Sequence, residues 1–598
     1  MADEQKKIVP IDYTHRDFQS IRSDLMQIAE RFYPDSFQDF SEASFGALML
    51  DAVAYVGDQL SFYLDYNVNE TFLDTAYQYS NIVRHGRILG YKNTGRPSTY
   101  GKVAMFLLIP ASTTGIGPDT RYIPIARRGT RFSSDTGLNF VLTENVDFND
   151  PTNPVVVATT DASTGAPTYY AIKAYGNVVS GMFGREQVTI GAYERFKRVR
   201  LANANISEII SVRDASGNEY YEVGYLSQDM VYKEISNKNY KNDNVPSILK
   251  PFLVSRKFVV ERDRVNTFLQ FGSGKTGETN VVANPQKVAL DVFGKDYVTD
   301  TTFDPTRLSK NENFGIVPSN TTLTIVYRAT NPTNSNLSVG SLNSVSTPRF
   351  QFSERQTLTP SVVSAVINSL EVTNEEPIVG NVTNPTTSDL KLKIFDTFPT
   401  QNRAVTQADY ENVTYRMPAK FGSIARVSAQ RDPDSLKRNI NLYVISEDKF
   451  GKLVATNSTI KNNLKTWLSD YRMISDTIDI LDPYIINLGI EFVAKGTVGA
   501  DKYVSLNNAI NALIANYNTR FYIGEPFYIS DVYNILKTAT GIMDVTKVKI
   551  TNKNTTQYSS TYFDINPNIA PDGSYLIAPA NAIFEIKFPP TDITGKIV

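Results

Sequence analysis

The segment Ser44–Asn67, SFGALMLDAVAYVGDQLSFYLDYN, constrains this chain more than any other stretch. Met49, Val53, Val56, Leu60 and Tyr63 recur at 4-3-4-3 spacing, and Phe45, Leu48, Ala52, Tyr55 and Phe62 form a second stripe one heptad position away. A helix over these residues is roughly 35 Å long at 1.5 Å per residue and apolar on two adjoining faces. Such a helix needs more than one neighbour. Its only charges, Asp51, Asp58 and Asp65, lie along a narrow polar edge. Successive members are about 10 Å apart, too far for shared metal or acid–base chemistry, so the edge reads as solvated or as a docking line for a basic partner.

Further helical signals flank this segment. Thr14 with Asp17 reads as a capping box, followed by Phe18, Ile21, Leu25, Ile28 and Phe32 at 3-4-3-4 spacing before Pro34. A third helix is expected over about Glu70 to Leu89, with Phe72, Ala76, Tyr79 and Val83 on one side and Gly90 as its C-cap. After Gly95 and Pro97 the period changes. KVAMFLLIP (Lys102–Pro110), YIPIARRGTRF (Tyr122–Phe132) and LTIVYR (Leu323–Arg328) are short β-branched or aromatic runs bounded by turn residues. ATNPTNSNLS (Ala329–Ser338) and GNVTNPTTSD (Gly380–Asp389) read as loops or linkers between them.

Beyond about residue 395 strands and helices alternate. SIARVSAQ (Ser423–Gln430) and INLYVIS (Ile440–Ser446) precede a helix with Ile460, Leu464, Trp467 and Tyr471. YIINLGIEFVAK (Tyr484–Lys495) precedes helices around Val504–Tyr517 and Ser530–Ala539, and a last strand pair, Ser574–Ala578 with Ala582–Phe588, is expected to close the chain. The expected class is multidomain α+β: a helical bundle segment over 1–95, a mainly-β middle region of two subdomains over 96–395, an α+β unit over 396–483 and a C-terminal α+β unit over 484–598.

Composition excludes several functions. Sixty basic residues nearly balance 62 acidic ones in 598, a net charge of −2, so no bulk field attracts nucleic acid or an anionic membrane. Cysteine is absent and only His15 and His85 are present, which rules out thiolate chemistry, thiolate metal sites and a three-histidine zinc site. MADEQKKIVP lacks a signal-peptide core and no apolar run approaches the roughly 20 residues of a membrane span, so the chain is expected to be soluble when made.

Candidate chemistry weakens under inspection. FGSGKTGE (Phe271–Glu278) resembles the end of a phosphate loop, but Leu269 stands where its first glycine belongs and Pro285 interrupts the helix that should follow, so a Gly-rich turn is expected. YERFKRVRL (Tyr193–Leu201) mixes Arg195, Lys197, Arg198 and Arg200 with aromatics, as single-strand binders do, yet neutral overall charge favours a solvated or protein-contacting face. Asp291, Asp296, Asp300 and Asp304 lack calcium-loop spacing. His15 and His85 have no nucleophile or metal partner visible in sequence, so structural roles are expected. No catalytic, cofactor-binding or metal residue is assigned.

The segment RAVTQADYEN (Arg403–Asn412) reads first as a capped helix: Thr406 and Asp409 form a T-x-x-D box, and Tyr410, Val413 and Met417 share a face before Pro418. Arg403, Thr406, Asp409 and Tyr410, followed by a strand with Val427 and Ala429 and then INLYVIS, also resemble the pattern of the baseplate J-like proteins. FGSGKTG resembles that family's F-G-x-G-x-x-G turn, NSNLSVG (Asn334–Gly340) its N-x-x-x-G step, and GEPFYISDVYNILKTATGIMDV (Gly524–Val545) its C-terminal helix. The block through ILGYK (Ile88–Lys92) looks like the branch of wedge subunits from T-even-like contractile-tailed phages.

This resemblance implies a structural virion protein of the tail baseplate, assembled in the bacterial cytoplasm as a late protein, with no active site and no cofactor. It further implies a second copy of the chain as partner, another wedge subunit joined through an N-terminal helical bundle, and contacts with sheath-initiator and hub-proximal baseplate proteins, without nucleic acid or membrane. In such a ring around the hub, the subunit transmits the conformational change that triggers sheath contraction. Phe18, Ile21, Leu25, Ile28, Phe32, Met49, Val53, Val56, Leu60 and Tyr63 are the expected bundle-interface residues, and Tyr484–Val545 the expected region of self-association. The alternative is a tail-associated adhesion protein gripping host glycans with its Tyr- and Asn-rich β region. The helical segment and the two α+β units have no role in that account.

Overall fold

A computed structural model describes residues 16–32, 44–92, 96–113, 117–237, 247–263, 266–275, 314–331, 333–381, 386–433, 439–517 and 521–598. The chain is multidomain α+β, with N-terminal helices, β-rich sheets in the middle and mixed sheets at the C-terminus. Its contacts divide into a helical unit, Met1–Tyr91 with Pro385–Phe398, and a larger unit, Lys92–Asn384 with Pro399–Val598.

The helical unit contains α1 (Phe18–Phe32), α2 (Phe45–Thr71), α3 (Tyr79–Ile88) and α4 (Thr387–Thr400). Asp17 stands just before α1, where its carboxylate accepts from Ser20 N–H at 3.0 Å and Ser20 Oγ at 2.6 Å; Thr14, the expected cap, lies outside the described residues. Helix α2 begins at a Ser44 cap, whose Oγ accepts from Ala47 N–H at 3.1 Å. It runs on to Thr71, so the single helix expected over Glu70–Leu89 is instead the end of α2, a turn and α3. Glu70 bridges the break. Its buried carboxylate reaches past its own helix to accept from Tyr77 N–H at 2.8 Å, Gln78 N–H at 3.1 Å and Asn81 Nδ2 at 2.8 Å, pinning the turn that leads into α3.

Helix α4 was not expected. Leu390 and Ile394 pack with Ala76, Ile82 and Tyr91 in a small core. A Cβ on Gly86 would lie 2.9 Å from Ile394 Cδ1, so glycine is what lets α3 and α4 approach. The stretch Gly380–Asp389, read as a loop, thus ends in the first turn of a helix, and α4 spans the 395/396 position at which sequence divides two regions.

In the larger unit, the first sheet orders its strands Leu342–Thr347, Arg131–Ser134, Asn139–Leu142, Pro167–Ser180, Tyr100–Pro110 and Glu371–Thr373, with Val155–Thr160 added against Pro167–Ser180. Its longest ladder runs antiparallel from Tyr100↔Val179 to Pro110↔Tyr169. The apolar run KVAMFLLIP suits this central position, and Val103, Met105 and Leu107 join Phe132, Phe140 and Val363 of the helix Pro360–Asn368 in the core. The second sheet includes Met182–Ile190, Thr321–Ala329, Ile206–Arg213 and Thr267–Phe271, around Val212, Leu269, Leu323 and Ile325.

A third sheet, Arg426–Arg431, Asn439–Glu447 and Leu453–Ala455 with Thr477–Leu481 parallel to Asn439–Glu447, carries helices Gln407–Tyr415 and Ser458–Ser469. In the last, Tyr484–Gly496 pairs antiparallel with Ile542–Asn552 and parallel with both Ala582–Glu585 and Ile593–Ile597. Helices Lys502–Tyr517 and Ile529–Thr538 cover it through Leu513, Val532 and Leu536. The expected terminal strand pair does not form: Tyr575–Leu576 pairs with Phe527–Tyr528, while Ala582–Glu585 joins Tyr484–Asn487.

Buried polar groups join the first and third sheets. Asn457 Nδ2 donates to Tyr100 O at 2.6 Å and Pro377 O at 3.1 Å, and Asn336 Nδ2 to Asn381 O at 2.9 Å and Glu447 O at 2.7 Å. Tyr100 Oη donates to Lys420 O, and burial pushes its phenol up to about 12.

Candidate functional site

Within the helical unit α1 lies on α2, and which face it covers determines what α2 leaves outside. Ile21 Cδ1 comes within 3.3 Å of where a Cβ on Gly57 would be, and Ala47 and Ala54 are buried. Arg22 Nε pairs with Asp51 Oδ1, and Arg16 Nη1 with Asp65 Oδ1 at 2.7 Å. The aspartate edge is therefore not an outward strip for a foreign basic partner. Two of its members meet arginines of the same chain. Small residues between those aspartates let the α1 backbone approach, and the guanidinium groups neutralise carboxylates that would otherwise face an apolar helix.

Both apolar stripes consequently remain outside. Met49, Val53, Val56, Leu60 and Tyr63 are 51 to 58% exposed, and Phe45, Leu48, Tyr55 and Phe62 are 58 to 76% exposed. Leu64, Val68 and Phe72 extend this surface past the second stripe. Full burial of such side chains is worth about 1.5–3 kcal/mol each. With roughly half still available, the two stripes hold on the order of 10 kcal/mol of unrealised burial, enough to offset much of the ~4–15 kcal/mol that association costs. On α1, Phe18, Ile21 and Leu25 are partly covered, whereas Ile28 and Phe32 are exposed.

A second apolar face stands on α4, where Leu392, Phe395 and Phe398 are exposed opposite the buried Leu390 and Ile394. Its three-residue spacing is visible in KLKIFDTFP, but Pro399 and the Asn/Thr-rich approach mask the helix in sequence.

The RAVTQADYE motif does local structural work. Thr406 Oγ1 accepts from Asp409 N–H at 3.2 Å and Asp409 Oδ2 accepts from Thr406 N–H at 2.9 Å, completing the capping box at Gln407–Tyr415. Tyr410 is fully buried with Val413 and Met417, and its hydroxyl donates to Asp476 Oδ2 at 2.7 Å. Burial, then the Asp476 carboxylate, raise its phenol well above the usual tyrosine range. Arg403 is exposed.

The remaining sequence candidates scatter. At Gly272 a Cβ would overlap Phe314 O, so this glycine of FGSGKTGE serves close backbone packing, while Thr276–Glu278 lie outside the described residues. In YERFKRVRL, Lys197 pairs with Glu194 at 2.5 Å and Arg198 with Glu261 at 3.2 Å, with Arg198 also 3.8 Å from the Phe268 ring centroid. His85 Nε2 lies 2.9 Å from Glu70 O. His15 and Asp291–Asp304 fall outside the described residues. Among the described residues no helix is long and apolar enough to cross a membrane, and no group of three or more histidine or acidic side chains is arranged to hold a metal ion.

Comparison with known proteins bears on this surface. No curated protein matches the chain. Among solved structures, it is similar to a chain of the baseplate of the anti-feeding prophage, at 9% identity over 94% of this chain and 89% of that one, with a TM-score of 0.26. It is also similar to a chain of the type VI secretion system TssK-TssF-TssG baseplate subcomplex, at 8% identity over 73% and 96%, with a TM-score of 0.25. Superpositions this loose support no structural argument. The family model described as "Bacteriophage baseplate protein, N-terminal domain" matches residues 15–88. The match takes in α1, α2 and α3 whole, so the exposed apolar surface of α2 lies within the segment that is similar to that domain.

Proposed function

We propose that this chain is a structural subunit of a contractile-tail baseplate wedge, present in the virion, that uses the two stripes of α2 to bundle with helices of a second copy and of another wedge protein. The observation that carries this reading is the exposure of Met49, Val53, Val56, Leu60 and Tyr63 while α1 occupies the small, acidic face. A helix folded for its own chain would bury the opposite side. Ile28 and Phe32 of α1 extend the bundle seam, with Phe18, Ile21 and Leu25 supporting it from the α1–α2 contact.

On this reading the four parts divide the labour, with residues 1–95 as bundle segment and 484–598 as ring-forming unit. Exposed Val498, Tyr503, Val504 and Met543 support self-association of the latter around Tyr484–Val545. The ring so formed transmits the conformational change that starts sheath contraction. Replacing Val53, Val56 and Leu60 by Asp in the full chain is expected to abolish co-purification with the wedge partner while the larger unit keeps its melting transition. Undiminished co-purification would overturn the bundle.

A further inference from the structure

The strand Val155–Thr160, VVVATT, is an edge that carries no charged residue, with its register shifts confined to the Thr159–Thr160 end. It pairs with Pro167–Ser180 and, among the described residues, with no other strand. Every residue in it is exposed, and Val155, Val156 and Val157 retain 46, 60 and 49% of their surface. Proteins usually guard such edges with charge, proline or bulges. Two other edge strands follow that rule through charge: Met182–Ile190 carries Arg185 and Glu186, and Ile542–Asn552 carries Asp544, Lys547 and Lys549.

Backbone phase narrows the open part. Lys173 N–H donates to Pro154 O at 3.1 Å, so in the alternating antiparallel pattern Val156 faces the strand Pro167–Ser180, while Val155 and Val157 turn N–H and C=O outward. The register breaks after Val157. What remains is a short, regular, uncharged ladder.

We propose that Val155–Val157 docks the same strand of a second copy of this chain, antiparallel across a twofold centred on Val156. Charge favours that occupant. Val155 then faces Val157 and Pro154 faces Ala158, so β-branched side chains meet and no like charges oppose. The nearest acid, Asp161, is engaged by the backbone N–H groups of Ser163 and Thr164 at 2.8 and 3.0 Å. A charged partner strand would find no counter-charge along this edge. One isologous contact satisfies both copies and closes at two, whereas a heterologous one leaves an edge free to continue.

The test uses the absence of cysteine in the chain. At a non-hydrogen-bonded pair the Cα atoms are about 4.5 Å apart, within disulfide reach. Mild oxidation of full-length Val156→Cys is expected to give a disulfide-linked dimer, at a yield at least tenfold above Thr168→Cys, an exposed position on the neighbouring strand. Adding Val155→Lys and Val157→Lys should lower the yield at least tenfold with an unchanged melting curve, since both positions face solvent. Equal linkage at Val156 and Thr168, or linkage that survives the lysine pair, would overturn the proposal. The dimer should also persist with Val53, Val56 and Leu60 replaced by Asp. Its loss there would tie linkage to the helical surface and overturn the edge as a dock in its own right.

Discussion

In the helix Gln407–Tyr415, Tyr410 and Val413 are wholly enclosed while the capping pair Thr406 and Asp409 faces outward. In α2 the enclosed residues are Ala47, Ala54 and Glu70, and the large apolar side chains of both stripes stand in solvent. Both helices are amphipathic, and both are capped by a hydroxyl at the N-cap. They differ in which face the chain itself covers. Where one chain supplies the whole core, the largest side chains go inside. Where it covers the smallest ones and salt-bridges the acidic edge, the burial of the largest is left unrealised within the chain.

The contrast can be broken most directly by truncation. Tyr410→Ala removes a fully buried ring and strands Asp476, so urea denaturation should report a loss of about 3–5 kcal/mol. Leu60→Ala in the isolated chain should change stability by no more than about 0.5 kcal/mol. Comparable losses would mean that α2 is already packed within one chain. Thr406→Ala sharpens the local half of the comparison, because loss of the cap should cost about 1 kcal/mol, read from the same denaturation curve.

Ion pairs on the covered face of α2 should contribute less. A double-mutant cycle on Arg22 and Asp51, both partly covered, is expected to return a coupling of up to about 1 kcal/mol, against near zero for the more exposed Arg16 and Asp65. A larger coupling for the exposed pair would reverse the account of how α1 is held. The smallest effect expected is a pH dependence. The Asn81 amide, then the backbone N–H groups of Tyr77 and Gln78, hold the Glu70 carboxyl below its ordinary value against the opposing effect of desolvation. Its contribution is therefore present above the unfolded glutamate pKa and lost as pH falls through the lower folded value. Circular-dichroism melts should find the deficit of Glu70→Gln shrinking between neutral pH and pH about 3.5. A deficit that grows on acidification would contradict the bridge.

What sequence made legible was local. The box at Thr406–Asp409 closes over three residues, so spacing alone identifies it, and the periodicity of α2 specifies a helix with two apolar stripes. The Glu70 bridge was hidden because its carboxylate serves groups seven to eleven residues on. Helix α4 was hidden because the residues that make it worth folding, Ala76 and Ile82, lie some three hundred positions earlier. The roles of Asn336 and Asn457 in joining the sheets were hidden, since their backbone partners come together only once the sheets pack.

Sequence by itself determined that α2 would be a helix too apolar for ordinary solvent exposure, because periodicity is a property of neighbours three and four apart. Tertiary structure decided which face would be spent on the chain's own core. That choice depends on where Arg16, Ile21 and Arg22 arrive, and their meeting with Asp65, Gly57 and Asp51 settles it by close approach and charge neutralisation. Both apolar stripes are left exposed.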